Sequence, residues 1–112
     1  MSNRTLEAQA DIFAALADIT RLRLIEIMKD GQARSISDLA NVVPITRQGV
    51  TKHLKVLEGA GLVEFRREGR EARYRWTPEP LTGTREYLDM VASQWEDALS
   101  RLKAHAEADG DT

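Results

Sequence analysis

Residues 45–62, Ile45-Thr-Arg-Gln-Gly-Val-Thr-Lys-His-Leu-Lys-Val-Leu-Glu-Gly-Ala-Gly-Leu62, carry their own start and stop signals. Thr46 is a good N-cap, and Ile45 before it and Val50 four residues after it occupy the two positions of a hydrophobic staple. Gly61 stands where a left-handed residue closes a helix, with Leu62 placed to fold back on Leu57 as in a Schellman motif. A helix is therefore predicted from 47 to about 60. At 100° per residue, Val50, Leu54 and Leu57 fall in a narrow, core-facing arc. Gln48, Thr51, Lys52 and Lys55 fall on the opposite side, with Arg47 at one flank. His53, at the edge of the apolar arc, reads as a packed or backbone-bonded histidine ahead of a base contact or a metal ligand. Gly49 costs about 1 kcal/mol relative to alanine inside a helix. Two readings of it weigh equally, close approach of a ligand to the backbone and a tolerated surface glycine; Gly59 reads as tolerated near the helix end.

Outward from this helix the pattern changes twice. Upstream, Leu6, Ala10, Phe13 and Leu16 recur at helical spacing over 5–17. Asp18 interrupts that helix, and Thr20 is the expected N-cap of the next, about 21–29, which turns Leu24, Ile25 and Met28 inward. Gly31 closes it, and Ser35-Ile-Ser-Asp38 has the capping-box pattern of a short helix through Val42. Downstream the period becomes two. Val63 and Phe65 oppose Glu64 and Arg66, while Ala72, Tyr74 and Trp76 oppose Arg73 and Arg75, with Gly69 in the turn between; this is a β-hairpin. Pro78 and Pro80 punctuate, and a last helix is predicted over about 81–104. The fold class is mainly α (α+β), in the order α-α-α-α-β-β-α. A short helix, a tight turn, a longer capped helix and a basic hairpin make a winged helix-turn-helix.

Composition sets the outer bounds. The chain has 112 residues, 42% hydrophobic and 30% charged, which suits one globular domain. That domain is expected over 1–105, with 106–112 (AEADGDT) an acidic, disordered tail. The absence of cysteine excludes disulfides, thiol catalysis and Cys-ligated metal. No apolar run approaches the ~20 residues of a membrane helix, and the first residues lack a signal-peptide core, so a cytoplasmic protein without a membrane partner is expected. The formal net charge of −2 hides an asymmetry. From Pro44 to Trp76 eight bases face four acids, a net +4, which leaves −6 for the rest. A basic middle between acidic ends is the footprint of one face meeting a polyanion.

The groups on that face suit double-stranded DNA. Arg47, Gln48, Thr51 and Lys52 combine guanidinium, amide, hydroxyl and ammonium groups near a helix N-terminus, the set that reads base edges in a major groove. Thr46, Lys55 and the hairpin residues Arg66, Arg67, Arg70, Arg73 and Arg75 are expected on the DNA backbone, Arg70 at the tip being best placed for a minor groove. The competing reading pairs these arginines with Glu64, Glu68 and Glu71 as a solvated face. Tyr74 and Trp76 read as core beneath the hairpin. In the last helix Leu81, Leu88, Trp95 and Leu102 recur every seven residues, with Thr84, Val91 and Ala98 between them, an a/d seam. A 24-residue helix of about 36 Å outruns so small a core. A two-fold homodimer is therefore expected, with Leu6, Phe13, Leu81, Leu88, Val91, Trp95, Leu99 and Leu102 in the interface and two recognition helices roughly 34 Å apart.

Three segments carry a family resemblance: Phe13-Ala-Ala-Leu-Ala-Asp-Ile-Thr-Arg-Leu-Arg-Leu-Ile-Glu-Ile-Met28, Ser37-Asp-Leu-Ala40 and Thr51-Lys-His-Leu-Lys-Val-Leu-Glu-Gly-Ala-Gly-Leu-Val63. Over about residues 6–105 the chain resembles the ArsR/SmtB family of bacterial transcriptional regulators. The resemblance implies a homodimeric winged-helix repressor whose affinity for its operator a ligand changes. Two departures stand out. Ile19 occupies a position where the family usually has proline. The metal-sensing members carry Cys-x-Cys in the helix that here reads Ile36-Ser-Asp-Leu-Ala40, or Asp/His/Glu ligands on the last helix. Here that helix has His105 as its one histidine, and Asp89 and Glu96 lack imidazole partners at useful spacing. No metal and no cofactor are therefore expected, and an effector, small molecule or protein, is left open. The alternative from another class is a winged-helix protein-interaction module without DNA binding. An enzyme has no support, since neither a Ser/His/Asp or Cys/His arrangement nor a phosphate-cradling Gly loop is present.

Overall fold

Asp18 separates the first two helices. Its backbone is extended (φ −153°, ψ 128°), and its carboxylate accepts the Thr20 and Arg21 N–H groups at 2.9 and 3.0 Å. In the computed structural model, which describes residues 3–110, α1 (Asn3–Leu16) ends before it and α2 (Ile19–Met28) starts directly after it. The N-cap is thus Asp18 and not Thr20. A carboxylate accepting two amide protons is the stronger cap, and the Arg21 N–H holds the Asp18 carboxyl below its ordinary range. The inward face of α1 is Gln9, Ile12 and Ala15; Leu6 and Ala10 are exposed and Phe13 is half-buried. α2 buries Leu24 and Met28 completely, with Ile25 and Ile27 packed beside them.

A strand lies where no sequence period marks one. β1 (Arg34–Ser35) is two residues long, too short to show a period, and pairs antiparallel with β3 (Glu71–Trp76) through Arg34↔Tyr74 and Ser35↔Arg73. The order is therefore α-α-β-α-α-β-β-α, and the wing is a three-stranded sheet, β1-β3-β2, with β2 (Val63–Glu68) on its far edge. A bidentate pair leads into β1: Arg34 Nη1 and Nη2 meet Asp30 Oδ1 and Oδ2 at 2.8 and 2.6 Å and hold the Asp30 carboxyl down to about 2. The capping box forms, with the Asp38 N–H on Ser35 Oγ at 3.1 Å and the Ser35 N–H on Asp38 Oδ2 at 3.4 Å. The helix it opens, α3 (Ile36–Ala40), stops two residues short of the expected Val42.

α4 (Arg47–Gly59) is bracketed as its sequence dictates. Thr46 Oγ1 accepts the Gly49 N–H at 3.1 Å. At the other end the Gly61 N–H donates to Glu58 O and the Leu62 N–H to Leu57 O, both at 2.9 Å, with Gly61 at φ +77°. These are the two bonds of a Schellman motif. β2 and β3 pair from Val63↔Trp76 to Glu68↔Glu71 around a two-residue Gly69-Arg70 loop, whose first residue sits at φ +63°. Phe65 and Tyr74, opposite each other, make an edge-to-face contact with ring centroids 5.4 Å apart. Tyr74 is core, and burial pushes its phenol up; Trp76 is packed against the same cluster.

The core gathers Ile12, Leu24, Met28, Leu39, Val50, Leu54, Leu57 and Leu62 from α1 to the start of the wing. Each fully buried aliphatic side chain stabilises the fold by about 1.5–3 kcal/mol. The chain divides into two compact units, Met1–Leu81 and Thr82–Thr112. Leu81 packs against the core of the first, so the residue expected to begin the dimer seam lies partly buried within its own chain. The second unit is helical: α5 spans Pro80–Gly110, 31 residues, well past the expected end near 104. Ala106, Glu107 and Ala108 are good helix formers, and Glu107 lies 3.9 Å from Lys103 one turn back, so the chain is helical through much of the stretch expected to be disordered. Asp111 and Thr112 lie outside the described residues.

Candidate nucleic-acid interface

Burial of Val50, Leu54 and Leu57 fixes which side of α4 faces out. Arg47, Gln48, Lys52 and Lys55 are exposed on that side, and Thr51 is half-buried beside them. The Thr51 hydroxyl donates back to Arg47 O at 2.9 Å, which leaves its oxygen as an acceptor. Thr46 Oγ1 is likewise engaged as the cap acceptor and keeps its proton for an outside partner. Gly49 is half-buried, and an added Cβ would meet Thr46 Oγ1 at 3.4 Å and Ile45 Cδ1 at 3.5 Å, ordinary contacts that an alanine could make.

The pleat divides the five hairpin arginines. On one face Glu64 opposes Arg75, Arg66 opposes Arg73 and Glu68 opposes Glu71, three acids against three bases. Arg75 meets Glu64 at 3.1 Å, and Arg73 meets Glu71 at 2.8 Å and Glu68 at 3.5 Å. Arg66 lies 3.7 Å from Glu64. That face is self-neutralising. Arg67 belongs to the other face, opposite Ala72, and Arg70 forms the tip. Among the described residues Arg67, Arg70, Arg47, Lys52 and Lys55 have no carboxylate within ion-pair range. Within residues 44–76 the uncompensated positive charge therefore lies on the outer face of α4 and at the end of the wing.

His53 ties the recognition element to the helices behind it. Arg21 Nη1 donates to His53 Nδ1 at 3.1 Å, Arg21 Nε to Ala15 O at 2.6 Å and Nη2 to Ala14 O at 3.2 Å. Asp18 lies 4.0 Å from Arg21 and 3.9 Å from His53. The histidine is half-buried, and the bond it makes is to a side chain and not to the backbone. Since a guanidinium has no acceptor, Nδ1 is the unprotonated nitrogen. No local pattern marks this contact, because its partners are 32 residues apart. Among the described residues no group of three His, Cys, Asp or Glu side chains could hold a metal ion, and no helix is long and apolar enough to cross a membrane.

A capped recognition helix beside a basic wing defines a winged helix-turn-helix DNA-binding protein. Residues 8–66 match the helix-turn-helix domain family. The chain is 33% identical over 94 residues to the HTH-type transcriptional repressor SmtB of Mycobacterium tuberculosis (strain CDC 1551 / Oshkosh), covering 84% of this chain and 67% of that protein. An ArsR-like transcriptional regulator from Rhodococcus sp. RHA1 superposes with a TM-score of 0.86 at 37% identity, covering 96% of this chain and 98% of the other. The homodimeric winged helix-turn-helix DNA-binding domain of a Mycobacterium bovis protein superposes with a TM-score of 0.65 at 28% identity, over 84% and 89% of the two chains. The chain belongs to the ArsR/SmtB family of winged helix-turn-helix transcriptional regulators, which are DNA-binding proteins and not enzymes.

Proposed function

We propose that this protein is a homodimeric, sequence-specific repressor that occludes a promoter by binding a pseudo-palindromic operator in the cytoplasm. The observation that carries the reading is the segregation, within residues 44–76, of unpaired cations onto the outer face of α4 and the wing tip, while the remaining hairpin arginines are neutralised in place. Gln48 and Lys52 read base edges, with the Thr51 oxygen beside them and Arg47 at the head of the helix. Thr46, Lys55, Arg67 and Arg70 hold phosphates; Arg66, Arg73 and Arg75 contribute less, because each must leave or share a carboxylate. Pairing is supported by α5, where Leu88, Val91, Trp95, Leu99 and Leu102 are exposed in the single chain, and by the homodimeric relative. Repression is supported by the SmtB relative that carries that function.

Selection of bound fragments from the source genome, followed by anisotropy titration of a recovered duplex against a scrambled one, tests the reading. The recovered duplex binds more tightly, and Gln48→Ala narrows the gap by about 1–3 kcal/mol. Equal affinity for both duplexes, or no binding to either, overturns sequence-specific regulation in favour of a protein-interaction module.

A further inference from the structure

A cleft of about 220 Å³ opens between the start of α3 and the tip of the wing, and Arg47 and Arg70 both line it. Arg47 is the first residue of α4 and Arg70 the tip of the hairpin, so two elements far apart in sequence each contribute an arginine to one concavity. Ser35 of β1, Ile36 and Ser37 of α3, Glu71 and Ala72 complete the lining. The one carboxylate there, on Glu71, is held by Arg73 Nε and Nη2 at 3.1 and 2.8 Å, so its charge is offset by a residue outside the lining. Neither Arg47 nor Arg70 has a carboxylate in range among the described residues, and the volume is several times the ~30 Å³ share of one water.

Two arginines without carboxylate partners, lining a concave, hydroxyl-bearing space, suit the tetrahedral oxygens of a phosphate. A concave seat does not suit a base edge, which protruding groups reach at the floor of a groove. From this geometry we infer that the cleft seats one phosphodiester of the DNA backbone, clamped by Arg47 and Arg70 together. The inference rests on the DNA-binding reading and changes it in one respect: Arg47 leaves the base-reading set and becomes an anchor. Once seated, the phosphate joins wing and recognition helix and fixes how far Gln48 and Lys52 enter the adjoining groove.

The test follows the arginine Nε–H resonances of the full chain while dimethyl phosphate, a phosphodiester monoanion, is titrated in at constant ionic strength. Arg47 and Arg70 shift along one saturation curve, and Arg73 moves little. In Arg70→Gln the curve at Arg47 weakens by roughly tenfold, the share of one charged hydrogen-bonding partner, and Arg47→Gln does the same to Arg70. Separate curves at the two arginines, each surviving loss of the other, overturn the clamp. A short mixed-sequence duplex then displaces the dimethyl phosphate. A duplex that binds and leaves both arginine signals unmoved overturns the seat while DNA binding stands. If the paired arginines bind the diester but no duplex binds at all, the DNA-binding reading has failed, and the assignment of the phosphate to DNA fails with it.

Discussion

Gly61 and Gly59 sit two residues apart at the end of α4 and do opposite things to stability. At Gly61 φ is +77°, and an added Cβ would stand 3.3 Å from Pro80 Cγ. Gly61→Ala is predicted to destabilise by about 1–2 kcal/mol, the cost of a left-handed L-residue. Gly59 is helical with nothing within 4 Å of its missing Cβ, so Gly59→Ala is predicted to stabilise by about 1 kcal/mol through helix propensity. Urea midpoints moving in opposite directions support this account of the helix end; a shared direction contradicts it. Gly61 was legible in sequence because the Schellman motif is local, spanning Leu57 to Leu62. The cap of α2 was misread by two residues, since Asp18 and Thr20 both have capping side chains and only the backbone at Asp18 decides between them.

Between elements, the Arg21 guanidinium joins the end of α1, the start of α2 and the middle of α4. Its side chain is 15% exposed, and Ala15 O, His53 Nδ1 and Ala14 O each lose a hydrogen bond when it is removed. Arg21→Ala is predicted to cost about 1.5–3 kcal/mol, as hydrogen bonds from a charged group do, with an unchanged urea m-value. Arg21→Lys recovers part of this, because one ammonium cannot span the guanidinium fork. A midpoint equal to that of the parent chain contradicts the coupling. This tie was invisible beforehand for a physical reason: periodicity reports which face of an element is buried and says nothing of polar partners across the fold. The same limit applies to the hairpin. Alternation gave its two faces, but the ion pairs that divide Arg73 and Arg75 from Arg70 follow from register, which brings Glu64 opposite Arg75 and Glu68 within reach of Arg73. β1 escaped because two residues define no period, and its pairing with β3 exists only in the folded chain.

For the whole molecule, the sevenfold spacing along the last helix was plain in the sequence, while the full reach of that helix was not. α5 has 31 residues and a length of about 46 Å. Trp95 and Leu102 are each 64% exposed in the single chain, a large apolar surface to leave in water. Trp95→Asp and Leu102→Asp are predicted to convert a dimer into a monomer at micromolar concentration, read by sedimentation velocity. A parent chain that sediments as a monomer, or variants that stay dimeric, contradicts pairing through α5.

The claim on which the functional reading turns is that unpaired cations on α4 and the wing tip, and not the neutralised wing face, meet DNA. It is tested most directly by duplex affinity measured across a salt series for the parent chain, Arg70→Ala and Arg73→Ala. The account predicts a linear fall of log Kobs with log salt, shallower by about 0.9 in Arg70→Ala and nearly unaltered in Arg73→Ala. Affinity indifferent to salt, or a larger loss of slope in Arg73→Ala than in Arg70→Ala, would contradict it.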